Sequence, residues 1–235
     1  MPKPGPRRSL SERDLLTAAQ QLLAERGASA VSVRGIAARV GVAPNAVYTY
    51  FPDRAAVLAA LADDVLGRAD PDLLDDPALG WRDRIVAFAL DLRAALLADP
   101  GLVTLVGGVP PLTGPNVLVI TERLLGTLAE GGLDRVAAAR AAYLLTVHVL
   151  GSVALEVAEL TEPGPPPPED ERIAARAASF AAIPADAYPR TVAAAATIAE
   201  NIGTEQFRWG LERILDGLAA NPVDRVPAAR DAAGP

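Results

Sequence analysis

The chain has 235 residues, 51% of them hydrophobic, a net charge of −7 and no cysteine. That length supports one or two domains with a buried core, and the missing cysteine excludes disulfides, zinc–cysteine centres and a cysteine nucleophile. No consecutive apolar run reaches the roughly 18 residues that span a bilayer. The first eight residues also lack the apolar core of a secretory signal, so a cytoplasmic protein with no membrane partner is expected.

The charge is split. Residues 1–54 hold Lys3, Arg7, Arg8, Arg13, Arg26, Arg34, Arg39 and Arg54 against Glu12, Asp14, Glu25 and Asp53, a balance of +4 that leaves −11 for the remainder. A basic head on an acidic body attracts nucleic acid at one end and repels it elsewhere.

Nearly every segment carries helical periodicity and none shows strand alternation with hairpin turns, so the expected fold class is all-α. Residues 1–8 read as a disordered basic arm. Ser11 and Asp14 have capping-box spacing, Leu10 and Leu15 can form the hydrophobic staple, and Gly27 stops this first helix. Ser32 caps a second helix that is apolar at Ile36, Ala37 and Val40. Gly41-Val42-Ala43 is a three-residue turn. Pro44 suits the first turn of a third helix, which keeps Val47 and Phe51 for the core and turns Asn45, Tyr48, Thr49 and Tyr50 outward until Pro52 ends it. Asp53 caps a fourth helix reaching about Leu66.

Residues 32–51 therefore read as a helix-turn-helix, which lays its second helix in the major groove of double-stranded DNA. Arg34 suits a guanine edge or a phosphate, Asn45 an adenine, and Pro44 and Ala46 a thymine methyl. Tyr48, Thr49 and Tyr50 bring hydroxyls to phosphate oxygens, and Arg54 at the start of the fourth helix can clamp another phosphate.

A break at residues 69–80 marks the expected boundary between a helix-turn-helix domain over 9–66 and a larger helical domain over 67–221. Residues 222–235 read as a disordered tail. Within the body, residues 81–98 form an amphipathic helix, a short apolar helix follows Pro100 as far as Gly107-Gly108, and residues 116–130 form another helix. Asp134 caps a long helix reaching Leu160. The run 163–168 is a polyproline spacer, residues 169–183 are helical apart from later proline breaks, and Thr204 caps the last helix. The long helix carries apolar or small residues on several faces, among them Val136, Tyr143, Val147, Leu150 and Ala154. It needs burial on several sides, which a core and a homodimer contact together provide.

Trp81, Phe88, Thr104, Asn116, Tyr143 and His148 are the candidate contacts for a small, largely apolar effector. His148, the only histidine, also has a reading as a hydrogen-bonded core or interface residue. Glu122 and Glu156 read as a solvated face. No nucleophile–base pair, metal set or phosphate loop is visible, so neither a cofactor nor an enzyme is expected.

Residues 9–66 resemble the DNA-binding domain of the TetR family of bacterial repressors. The carriers are the three-helix layout, Val33-Arg34-Gly35-Ile36-Ala37, and the stretch from Gly41 to Phe51 with Tyr48 ahead of Phe51. Ala43 departs from the Ser or Thr usual there, which removes roughly 1 kcal/mol of capping. Residues 207–218 are similar to the last helix of the tetracycline-repressor type of body. The resemblance implies a homodimer on a palindromic operator, released by an effector. A constitutive or protein-controlled DNA-binding regulator is the alternative.

Overall fold

Local capping sets the helix starts. In the protein's structure, a computed structural model describing residues 10–106, 113–160 and 166–220, α1 spans Glu12–Arg26, with Ser11 and Asp14 forming the reciprocal box. The arm, the tail, Gly107-Gly108 and the first half of the proline run lie outside the described residues. Ser32 caps α2, Val33–Val40, by accepting from the Gly35 N–H. Gly41 follows at φ 73°, a left-handed conformation that costs other residues roughly 1–2 kcal/mol and turns the chain sharply into α3, Pro44–Tyr48. Ala43 makes no side-chain cap, and α3 stops at Tyr48 rather than at Phe51. Asp53 caps α4, Arg54–Leu66.

The predicted interdomain break is occupied by a 3-10 turn, Pro71–Asp75. Leu74 in that turn is fully buried, and the turn packs on α5, Trp81–Leu97, and α7, Pro115–Glu130. Between those two helices lies α6, Pro100–Val106. One continuous core then runs from Leu15 in α1 through Leu61 and Val65 in α4 to Leu96, Leu128 and Leu215. No strand occurs among the described residues.

Helix α8, Arg135–Val157, is capped by Asp134. It is long and apolar enough to cross a membrane by length and composition, with a mean hydropathy of 1.5, although no unbroken apolar run marks it in the sequence. It packs against α5, α6, α7 and the last helix, α12, Thr204–Ala220, as a core helix does. Part of its apolar surface stays open: Tyr143, Leu144, Val147 and Leu155 are exposed, and so is Trp209 of α12. The remaining helices are α9, Glu169–Phe180, and the short α10, Pro189–Ala193, and α11, Ala195–Ala199.

Two sequence expectations are corrected here. Thr204 is the first residue of α12 rather than its cap. Its N–H and hydroxyl both donate to the Glu169 carboxylate, at 3.0 and 2.7 Å, so the cap comes from another helix. Glu156 is not solvated but 2% exposed. It accepts from Arg93 through both oxygens at 2.9 Å and from Arg172 at 2.6 Å.

Burial raises the Glu169 carboxyl, but the Thr204 hydrogen bonds and Arg93 outweigh it and hold it below the ordinary value of 4.5. A depressed carboxylate stabilises the fold above its unfolded value and loses that contribution as the pH falls through its folded value. The melting temperature is therefore expected to drop as the pH falls below 4.5, with a shallower pH slope in Glu169→Gln.

Candidate DNA-reading surface and body cavity

The second half of the helix-turn-helix is anchored by Val47, which is fully buried, and Phe51. That anchoring turns Pro44, Asn45, Tyr48, Thr49 and Tyr50 outward, with Ala46 half-buried. Arg34 is exposed nearby and makes no hydrogen bond or ion pair among the described residues. Arg34, Tyr48 and Arg54 share the wall of one shallow recess with Ser32, Pro52 and Asp53.

Three polar groups have local duties that the sequence did not suggest. The Tyr50 hydroxyl donates to the Leu10 carbonyl at 2.5 Å, tying the start of α1 to the recognition segment. The Thr49 hydroxyl donates back to the Asn45 carbonyl at 3.2 Å. The Arg54 Nε donates to the Val31 carbonyl at 2.8 Å, which places this guanidinium against the loop before α2. Arg39 also differs from a loose basic residue. It holds Gln21 and Glu25, and its hydrogen bond keeps the Glu25 carboxyl below the usual range. Arg34 is therefore an exposed arginine of this surface that no other group engages among the described residues.

The body holds a partly open cavity of about 300 Å³ between α5, α7 and α8, with Leu66 of α4 and Leu211 of α12 also in its wall. Phe88 and Tyr143 line it. Three other candidates stand elsewhere. Trp81 packs its ring against the Gly131 backbone, where a Cβ would come within 2.8 Å. His148 contacts the Phe207 carbonyl at 3.0 Å and stacks on the Phe207 ring, with centroids 5.1 Å apart. Asn116 donates its amide to the Asp63 carboxylate at 2.9 Å. The Thr104 side chain lies outside the described residues.

The cavity's polar groups are ones that sequence reasoning missed. Thr121 of α7 and Thr146 of α8 stand in its wall, as does Tyr143. The Thr146 hydroxyl donates to the Ala142 carbonyl at 2.8 Å. Their one sequence signal is a threonine inside an otherwise apolar stripe. Every other wall residue is apolar, so the site suits an apolar molecule with a few hydrogen-bonding groups.

Comparison with known proteins covers both halves. Residues 15–61 match the model of the bacterial regulatory proteins of the tetR family. Residues 74–221 match that of the tetracyclin repressor-like C-terminal domain. An HTH-type transcriptional regulator of Saccharopolyspora erythraea is 31% identical over 147 residues, 63% of this chain, and the match spans 61% of that relative's length. The class A tetracycline repressor protein from transposon 1721 of Escherichia coli is 28% identical over 210 residues, covering 89% of this chain and 91% of that one. A solved structure described as a possible TetR family transcriptional regulator from Streptomyces coelicolor A3(2) superposes with a TM-score of 0.73 at 31% identity. It covers 89% of this chain and 99% of that one. These relatives are regulators of transcription rather than enzymes, and this chain belongs to the TetR family of bacterial regulatory proteins.

Proposed function

We propose that the protein is a cytoplasmic, homodimeric transcriptional repressor that binds a palindromic operator and leaves it when a small, largely apolar effector fills the body cavity. The observation that carries the reading is the joint presence of two surfaces in one chain. Arg34, Pro44, Asn45 and Tyr48 are outward on one face of the head, and an apolar cavity reaches the end of α4, the helix that leaves that head.

Arg34 and Asn45 read base edges, Pro44 and Ala46 offer apolar contact, and Tyr48, Thr49, Tyr50 and Arg54 border the phosphate backbone. Each subunit reads one half-site, with half-sites about one helical turn apart or a multiple of it. The exposed apolar faces of α8 and α12 meet their symmetry copies in a four-helix contact. Phe88, Thr121, Tyr143 and Thr146 receive the effector, whose volume is near the lower end of the usual range of about 300–1,000 Å³. The relative named a tetracycline repressor supports a repressor of this kind.

The test is a gel shift on DNA selected from a random pool, with and without a panel of lipophilic compounds. Selected DNA is expected to be palindromic and to be released by some member of the panel. Release by none of them counts against the effector. Arg34→Ala and Asn45→Ala are each expected to lose roughly 5- to 150-fold discrimination at one base position, the equivalent of about 1–3 kcal/mol. Arg54→Ala is expected to weaken all sequences alike. Equal loss on every sequence for Asn45→Ala would remove it from base reading.

A further inference from the structure

Asp63 is an acid in the wrong place for a solvent-facing helix residue. It sits in the third turn of α4 and is 6% exposed. Its carboxylate does not face an arginine. It faces the first turn of α7, accepting from the Asn116 N–H at 3.3 Å, the Val117 N–H at 3.0 Å and the Asn116 side-chain amide at 2.9 Å. The same amide also donates to the Asp63 carbonyl at 3.2 Å. Helix α7 has a glycine, Gly114, at its N-cap and no capping side chain of its own. Asp63 supplies that cap from α4, satisfying otherwise orphan N–H groups and meeting the positive end of the helix dipole.

The approach is close on both sides. A Cβ on Gly114 would come within 2.2 Å of the Asp63 carboxylate, and one on Gly67 within 2.5 Å of the Asn116 side chain. Glycines at these two positions let α4 and α7 touch. From the next residue onward, α7 is cavity wall: Val117, Ile120, Thr121, Leu124 and Leu125 all line it. At its other end, α4 begins with Asp53 and Arg54, beside the recognition segment.

We propose that the Asp63 carboxylate is the positioning group that fastens the α7 wall of the cavity to the DNA-reading head, so that displacement of α7 by a cavity occupant moves α4 through this cap. The inference rests on the effector reading above and adds the residue through which it acts. A rigid helix held at its charged end moves as a unit. An apolar contact at the same place slides, whereas a carboxylate bonded to two successive N–H groups must travel with them or lose both bonds. Apart from that cap, shared apolar packing and the Arg68–Asp99 ion pair at 3.2 Å join the end of α4 to the body, and neither holds the first turn of α7.

The chain's lack of cysteine makes a direct test available. Thr121 is exposed at the cavity wall. In Thr121→Cys, benzyl methanethiosulfonate attaches a single benzylthio group there, a covalent stand-in for an occupant. Operator affinity is measured with and without the label, in the Asp63 protein and in Asp63→Asn, on DNA selected from a random pool. Asparagine presents one oxygen and an amide, so it accepts fewer of the α7 bonds at nearly the same volume.

With Asp63, the label is expected to lower affinity about 5- to 150-fold, the usual range of allosteric coupling. In Asp63→Asn the unlabelled affinity is expected to stay within about twofold, while the labelled-to-unlabelled ratio falls toward one. A merely structural role would not move that ratio. An equal ratio in both proteins overturns the Asp63 assignment and leaves the effector reading standing. No effect of the label in either overturns both. Should Asp63→Asn fail to fold by circular dichroism, Asn116→Pro carries the same comparison. Proline is tolerated in the first turn of a helix, and here it removes the Asn116 N–H and side-chain amide bonds and leaves Asp63 only the Val117 N–H; an undiminished ratio in it overturns the proposal.

Discussion

Glu156→Ala is expected to destabilise the protein by about 3–5 kcal/mol, the cost of stranding a buried charge by removing its partner. The Glu156 carboxylate is the buried counter-charge of Arg93, which lies inside the body at 6% exposure. Arg93 Nη2 meets both Glu156 oxygens, and its Nη1 donates to the Thr204 hydroxyl at 3.0 Å. The guanidinium also lies 5.6 Å from the Phe207 ring centroid. Once Glu156 is gone, the acid left facing Arg93 is Glu169 at 3.4 Å, which is partly exposed. Arg172 loses its tightest partner at the same time. The change therefore loosens α5, α8, α9 and α12 together. Urea denaturation reads the loss as a lower midpoint at unchanged slope. Glu156→Gln keeps two acceptor lone pairs and is expected to cost less. A loss below about 1 kcal/mol for alanine would put the cluster with ordinary surface pairs.

The second large effect concerns the uncovered flank of α8. Leu155→Glu is expected to convert the proposed dimer to a monomer without unfolding the chain. Leu155 is 72% exposed in the single chain, so a glutamate there meets water and circular dichroism should not change. A contact between two copies about a two-fold axis uses the same patch twice, so one substitution brings two carboxylates into one apolar seam. Each buried, unpaired charge costs several kcal/mol, and every 1.4 kcal/mol is tenfold in affinity. The dimer dissociation constant is expected to rise by roughly two orders of magnitude or more. Sedimentation at a concentration where the parent is dimeric should then show monomer, and operator affinity should fall because each half-site is bound alone. A dimer that survives with full operator binding would move the contact away from this face.

What the sequence made legible was mostly local. Ser11 with Asp14, Ser32 with Gly35 and Asp53 with Ala56 are each three residues apart, so their spacing alone states the geometry. The outward turn of Asn45 and Tyr48 was legible for the same reason, since Val47 and Phe51 claim the opposite side of one helical turn. The long-range partners were not legible. Tyr50 reaches Leu10 across 40 residues, Asn116 reaches Asp63 across 53, and Arg93 reaches Glu156 across 63. An acid inside an apolar stripe looks the same whether it meets water or an arginine brought by another helix. The cavity was hidden differently. Phe88 and Tyr143 stand out by size, whereas Thr121 and Thr146 scan as small core residues. Whether three apolar stripes close fully or leave a void depends on the sum of their volumes, which no single stripe reveals.

The core that runs unbroken from Leu15 in α1 to Leu215 in α12 bears on how the protein melts. Head and body share Leu61, Val65 and Leu74, each fully buried, so neither can lose its packing while the other keeps its own. A single cooperative unfolding transition is therefore expected, checked by coincident melts in circular dichroism and calorimetry. Free energy supplied at the cavity then protects residues that never touch the occupant, including those that face DNA. An occupant of the cavity is therefore expected to harden the head as well as the body against heat and proteolysis.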